Sequence, residues 1–184
     1  MHKLRDLVVL SVAAAGFAAS LLMFRRAVGI GSPWFGLVVM LSALGLIALA
    51  RPFFLLRRPA AVRRNRAWEV RGGLYQAAGV RLFGTVLRRT PLRYLNQFVY
   101  LAGSATPSMV RAQAESAEAA HLVAGALLIP HMVYACVQKW WGTLAWLTMV
   151  QALGNLYPIL HLRWVRARID RFHGRRRSRT PGAA

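Results

Sequence analysis

Residues 151–171 read Gln151-Ala-Leu-Gly-Asn155-Leu-Tyr-Pro158-Ile-Leu-His161-Leu-Arg163-Trp-Val-Arg166-Ala-Arg168-Ile-Asp170-Arg171. The stretch opens as an apolar helix and closes as a ladder of arginines. Two amides, Gln151 and Asn155, interrupt the apolar part. At a uniform α-helical step they lie about 40° apart, and Arg166 returns to the face of Asn155. An uncharged amide in hydrocarbon is costly without a partner, so a neighbouring helix or a polar ligand group must meet these two. The stretch therefore reads as the last span of a membrane protein, carrying one polar face out to the bilayer surface.

The rest of the chain agrees with this reading. Of 184 residues 57% are apolar and 16% charged. Four hydrophobic segments emerge: Leu7–Phe24, Trp34–Leu56, Leu122–Val137 and Thr143–Leu160. Each approaches the length needed to cross roughly 30 Å of hydrocarbon. Arg51-Pro52 interrupts the second, and Pro130-His131 lies in the short third. Arg25-Arg26 follows the first, where a signal peptide would carry a small-residue cleavage site, so this segment reads as a retained span.

Charge orients the spans. The 25 Lys and Arg outnumber 5 Asp and Glu, for a net charge of +20. The N-terminus carries Lys3 and Arg5, the stretch Arg51–Arg111 carries twelve cations and Arg163–Arg179 eight. Only Arg25, Arg26 and Lys139 fall on the other side. The positive-inside rule then puts both termini and the middle loop in the cytoplasm. With apolar spans present, anionic membrane lipids rather than nucleic acid are the partners this charge implies. The single Cys136 excludes an internal disulfide.

Four regions follow: residues 1–56 with two spans, a basic loop at 57–121, the last two spans with their arginine-rich end at 122–171, and a disordered basic tail at 172–184. In the loop, Leu74, Ala78, Leu82 and Val86 recur at four-residue steps beside Arg81, Arg88 and Arg89. This pattern predicts an amphipathic helix in the headgroup plane, ended by Pro91. Tyr94, Phe98 and Tyr100 suit the interface that follows. Gly29-Ile-Gly-Ser-Pro33 reads as a turn, and Ser108 as the cap of a helix that leads into the third span.

Acids are few, so their positions carry weight. Glu118 and His121 are three residues apart on a predicted helix and hence neighbours on its surface. A carboxylate beside an imidazole fixes its tautomer and raises its basicity, as a general base for a hydroxyl requires. The plainer reading is an Arg111–Glu115 surface pair and a Glu–His pair that steadies the helix. Arg163, Arg166 and Arg168 suit phosphates or an acyl-donor headgroup, or equally a positive-inside anchor. Asn155 and Gln151 suit interhelical bonding, and His131 suits a bond to a carbonyl freed by Pro130 or to the backbone of a neighbour. The chain has no His-Glu-x-x-His, phosphate-cradling glycine loop, Gly-x-Ser-x-Gly elbow or His-x4-Asp pair. No metal and no cofactor is expected.

Three blocks carry a family resemblance. They are Tyr75-Gln-Ala-Ala-Gly-Val-Arg-Leu-Phe83 through Pro91-Leu-Arg-Tyr-Leu-Asn96, Glu118-Ala-Ala-His121, and Asn155-Leu-Tyr-Pro158 followed by Arg163, Arg166 and Arg168. Over Tyr75–Arg171 the chain resembles the glycosyl-4,4'-diaponeurosporenoate acyltransferase family of small bacterial membrane proteins. It departs from the family's pattern at Leu162, where Gln is frequent, and at Phe83-Gly84, where a tryptophan-lysine pair is common. The resemblance implies a fatty-acyl transferase that esterifies a sugar hydroxyl on a glycosylated carotenoid acid.

The expectation is thus an all-α integral membrane protein of the bacterial cell membrane, with four spans and a cytoplasmic interfacial helix. Its partners are an acyl thioester donor and an amphiphilic alcohol or glycolipid acceptor. His121 acts as base, oriented by Glu118. Arg163 and Arg166 hold the donor's phosphates, Arg168 meets the lipid surface, and Asn155 bonds to the third span or to the acceptor. Two other functions fit the same sequence. One is a basic membrane scaffold or partner subunit that needs no Glu118–His121 pair. The other is a transporter subunit with Gln151, Asn155 and His131 along its path.

Overall fold

The computed structural model describes residues 2–50, 65–66, 69, 73–96 and 106–179. The end of the second hydrophobic segment, the basic run before Asn65, the aromatics Phe98 and Tyr100 and the last five residues lie outside them. Among the described residues every regular element is helical. The order is α1 (His2–Val28), α2 (Pro33–Ala50), α3 (Gly73–Ala77), α4 (Val80–Arg89), a 3₁₀ segment (Pro91–Asn96), α5 (Pro107–Val137), α6 (Trp141–Gln151), a π-helical segment (Ala152–Leu156) and α7 (Tyr157–Arg179).

Two helices are long and apolar enough to cross a membrane, over Leu7–Val28 and Pro107–Val137. None of the first is buried inside the fold, and Leu7, Leu10, Val12, Leu22 and Met23 all face outward. In water such a surface would be exposed at a large free-energy cost, which a lipid environment would remove. The four single-helix spans expected from the sequence are therefore shown only in part. The described apolar run of α2, Pro33–Ile47, is shorter, and Thr143–Leu160 is divided among α6, the π segment and α7.

The chain forms two compact units. The first comprises Met1–Leu56 and Ala119–Leu156. Here α1 packs on α2 and α2 on α6. Its core is Met40, Ala43, Ala124, Leu128, Ala135, Leu147 and Val150, small and large residues alternating so that the helices approach closely. The turn at 29–33 forms as expected: Gly29 takes φ 76° and Pro33 opens α2, where its missing N–H loses nothing. Two side chains tie this turn down. His131 donates from Nε2 to the Ile30 carbonyl at 2.9 Å, and Thr143 donates from Oγ1 to the Gly31 carbonyl at 2.9 Å. The mid-span histidine thus finds the backbone of a neighbour.

The second unit comprises Arg57–Glu118 and Tyr157–Ala184. In it α7 packs against α3 and α4, and Leu162 packs on Ala114 and Ala117. The single amphipathic helix expected over 74–89 is two helices, because Gly79 turns the chain at φ 67°. The face that packs inward is Tyr75, Val80 and Gly84, while the expected apolar stripe of Leu74, Leu82 and Val86 points out. The cap of α5 is Thr106, not Ser108: its Oγ1 accepts from the Met109 N–H at 3.3 Å. Helix α7 continues to Arg179, past the point where a disordered tail was expected, in keeping with the high helix propensity of arginine.

Candidate functional site

Within the first unit, His121, Gln151 and Asn155 are brought together. His121 and Gly125 are one turn apart on α5. Gln151 ends α6, and Asn155 lies in the π segment, buried to 1% exposure. The π turn advances less per residue than an α-helix, so the uniform step that would align Asn155 with Arg166 does not hold through this stretch. It leaves the two amides in contact instead. Asn155 Nδ2 donates to Gln151 Oε1 at 2.8 Å, and Gln151 Nε2 lies 3.4 Å from the Gly125 carbonyl. At the other end, His121 Nδ1 lies 3.4 Å from Asn155 Oδ1.

These three contacts run in one direction: a ring N–H to an amide oxygen, that amide's NH₂ to the next oxygen, and its NH₂ to a backbone carbonyl. Turning the Asn155 amide over would give its nitrogen to the Gly154 and His121 carbonyls at 3.2 and 3.3 Å. Gln151 would then have to turn as well and face the Gly125 carbonyl with oxygen. Two oxygens in contact without a proton repel: the first orientation sets Asn155 Oδ1 against the Gly154 and His121 carbonyls, two such contacts, whereas turning both amides leaves one, so the turned arrangement is favoured. Both amides are thereby satisfied between helices, as the sequence required of them.

The second unit holds a buried charge cluster. Glu118 on α5 is fully buried, as is Arg166 on α7. Arg166 Nη1 donates to Glu118 Oε2 at 2.6 Å, and Arg163 Nη1 to Glu118 Oε1 at 3.2 Å. Arg163 also donates from Nε to Glu69 Oε1 at 2.6 Å. Glu69 in turn accepts from the Tyr75 hydroxyl at 3.0 Å and, through Oε2, from the Arg66 N–H at 2.6 Å. Arg163 and Arg166, three residues apart, lie on one face of α7, which lets them grip both carboxylates. Among the described residues two negative and two positive side chains meet here, the kind of pairing under which buried ions are tolerated.

Electrostatics follow from this packing. Burial pushes the Glu69 carboxyl up, but the Arg163 hydrogen bond, the Arg66 N–H and the Arg163 charge outweigh it and hold the group below its ordinary range. Tyr75 is pushed up to about 12 by burial and by the Glu69 charge beside its hydroxyl. The Arg163 guanidinium is raised further still, mainly by its hydrogen bond to Glu69. The guanidiniums expected to hold a donor's phosphates are thus already bonded to carboxylates. Nearby, Asp170 accepts from Arg111 at 2.6 Å and from Asn65 at 2.8 Å.

Arg168 is placed differently. It is exposed, with its guanidinium 5.0 Å over the Trp164 ring, and it lines a cavity of about 430 Å³ with Arg88, Val110, His161, Ile169 and Phe172 among others. His161 is buried in the wall, its ring against Phe83 and Trp164. Burial, with the Arg88 charge adding to it, holds the imidazole down to about 4, so it is neutral near pH 7. A methyl group on Gly84 would lie 2.5 Å from His161 Cε1. The Phe83-Gly84 pair is therefore the bed on which His161 rests.

Glu69, Tyr75, Arg88 and His161 escaped the sequence reading. Glu69 had one available signal, a lone acid between Arg66 and Arg71 in a strongly basic loop. Tyr75 and Arg88 have near partners in Glu69 and Gly84, but nothing in the sequence marks those contacts, and the ring partner of His161 on α4 lies far away along the chain.

Residues 59–175, well over half of the chain, match the family model described as glycosyl-4,4'-diaponeurosporenoate acyltransferase. No curated protein and no solved structure matches the chain.

Proposed function

The chain belongs to the glycosyl-4,4'-diaponeurosporenoate acyltransferase family, and from that premise we propose that it moves a fatty acyl chain from a thioester to a hydroxyl of a lipidic acceptor. Membership supports an acyltransferase of carotenoid biosynthesis. The sugar of a glycosylated carotenoid is the acceptor class it favours. The enzyme works in the bacterial cell membrane with both termini in the cytoplasm, a topology supported by the arginine asymmetry and the two apolar helices.

The observation that carries the mechanism is the contact of the His121 ring with the buried Asn155–Gln151 amide pair. As the acceptor oxygen attacks the thioester carbonyl, the unprotonated nitrogen of the His121 ring takes the hydroxyl proton. The tetrahedral intermediate collapses to the ester, the carbon–sulfur bond breaks, and the thiolate leaves with the proton carried by the imidazolium. Asn155 holds the ring in register in place of the carboxylate first assigned to that task. Glu118 serves instead by anchoring Arg163 and Arg166, and through them α7. Of the three arginines, Arg168 remains for a donor's phosphate.

The test is deletion of the gene in its host, with total lipid and pigment extracts compared by mass spectrometry. Wild type, His121→Ala and Asn155→Leu are supplied back. Accumulation of a species lighter by one fatty-acyl mass, corrected by wild type but not by His121→Ala, is the expected result. Full complementation by His121→Ala would remove the catalytic assignment and favour the scaffold.

A further inference from the structure

We propose that the cavity of the second unit binds an amphiphile bearing a phosphate group, with the phosphate held by Arg88 and Arg168 and its chain against Val110, Trp164, Ile169 and Phe172. Both arginines line the same cavity, and among the described residues none that lines it is acidic. Each guanidinium is oriented before any ligand arrives. Arg88 donates from Nε to the Gly84 carbonyl at 3.2 Å, and Arg168 lies over the Trp164 ring. Such constraint lowers the entropy lost on binding, and it leaves the outer N–H groups of each fork for an anion. The rest of the lining, apart from His161, is aliphatic and aromatic, the composition of a site that takes a hydrocarbon chain.

His161 adds to the argument. Its neutral ring closes the wall without contributing a third charge, and it is held there by Phe83, Gly84 and Trp164. A surface patch for bulk lipid needs only exposed cations. This site adds an open cavity of about 430 Å³, within the range of small-molecule sites at about 300–1,000 Å³. The ligand chemistry has two sources: an acyl thioester of a phosphorylated carrier, or an anionic phospholipid headgroup. The proposal does not depend on the base assigned to His121.

The test uses the full chain purified in a nonionic detergent, with binding followed by tryptophan fluorescence and thermal shift. The probes are palmitoyl-coenzyme A, dioctanoyl phosphatidylglycerol, palmitate and inorganic phosphate. Variants are Arg88→Gln, Arg168→Gln, their double, and Arg88→Lys with Arg168→Lys. Arg25→Gln with Arg26→Gln removes equal charge outside the cavity. At least one probe carrying both phosphate and chain should bind more tightly than palmitate or phosphate alone. Each Gln substitution should weaken it about tenfold, the loss expected of one charge-assisted hydrogen bond. The Lys pair should recover part of that affinity, and the control should bind as wild type. Tighter binding of the thioester identifies a substrate site, and tighter binding of the phospholipid a lipid site. Binding unchanged in the folded double Gln variant overturns the proposal, as does a loss equal to that in the control. Binding of palmitate or phosphate alone as tight as the amphiphiles overturns it too.

Discussion

Replacing Glu118 by glutamine removes one charge and almost no volume. The carboxylate is fully buried and receives Arg166 Nη1 at 2.6 Å and Arg163 Nη1 at 3.2 Å. An amide keeps one acceptor but turns an NH₂ toward a donor, and the cluster of Glu69, Glu118, Arg163 and Arg166 moves from neutral to +1. Arg166 is fully buried, away from bulk solvent. Breaking a buried pair from one side costs about 3–5 kcal/mol. For a chain of this size that lowers the Tm by roughly 10 °C. Glu118→Gln with Arg166→Gln restores neutrality, so the double variant should be less destabilised than Glu118→Gln alone, with a coupling of at least about 1 kcal/mol. Thermal unfolding in detergent, read by far-ultraviolet circular dichroism, gives all four corners of the cycle. A Tm within about 2 °C of wild type for Glu118→Gln, or losses that simply add in the double variant, would refute the buried pair. Acyl transfer measured on the same proteins separates the roles. If the double variant is stable yet inactive, Glu118 or Arg166 also takes part in substrate handling.

Two further outcomes follow from the second unit. Gly84→Ala drives a methyl group into the His161 ring, so overpacking of about 1–3 kcal/mol should outweigh the helix propensity gained, about 1 kcal/mol at most. The Tm should fall by a few degrees, and His161→Ala in the same chain should recover it. Stability should also decline in acid. His161 is held down from 6.5 to about 4, so the unfolded chain takes up this proton first, and stability present above pH 6.5 is lost as pH falls toward 4. The loss is roughly 3 kcal/mol at full protonation. Glu69, held below its ordinary 4.5, adds a second loss at still lower pH. A pH series of Tm values for wild type and His161→Asn checks this: between pH 6.5 and 4.5 the variant should lose less than wild type.

Helix type, the apolar segments and the need to partner Gln151 and Asn155 were all readable along one dimension. They depend on local composition and on the cost of an unpaired polar group in hydrocarbon, and both apply before any contact is known. The same holds for the turn at Gly29–Pro33, where residue identity restricts the backbone directly. The helix break at Gly79 was written there too, but the four-residue apolar steps across it pointed to a continuous helix. Partnership was not readable. Arg163 meets Glu69 across 94 residues of sequence and Glu118 across 45, and spacing within one helix says nothing about either. From the sequence, Glu118 had a nearer candidate in His121, and His161 had no candidate at all. A buried ion takes whichever opposite charge the packed helices carry to it, because burial makes every unbalanced charge costly. Only tertiary packing could therefore assign Arg163 and Arg166 to carboxylates and leave Arg88 and Arg168 beside an open cavity.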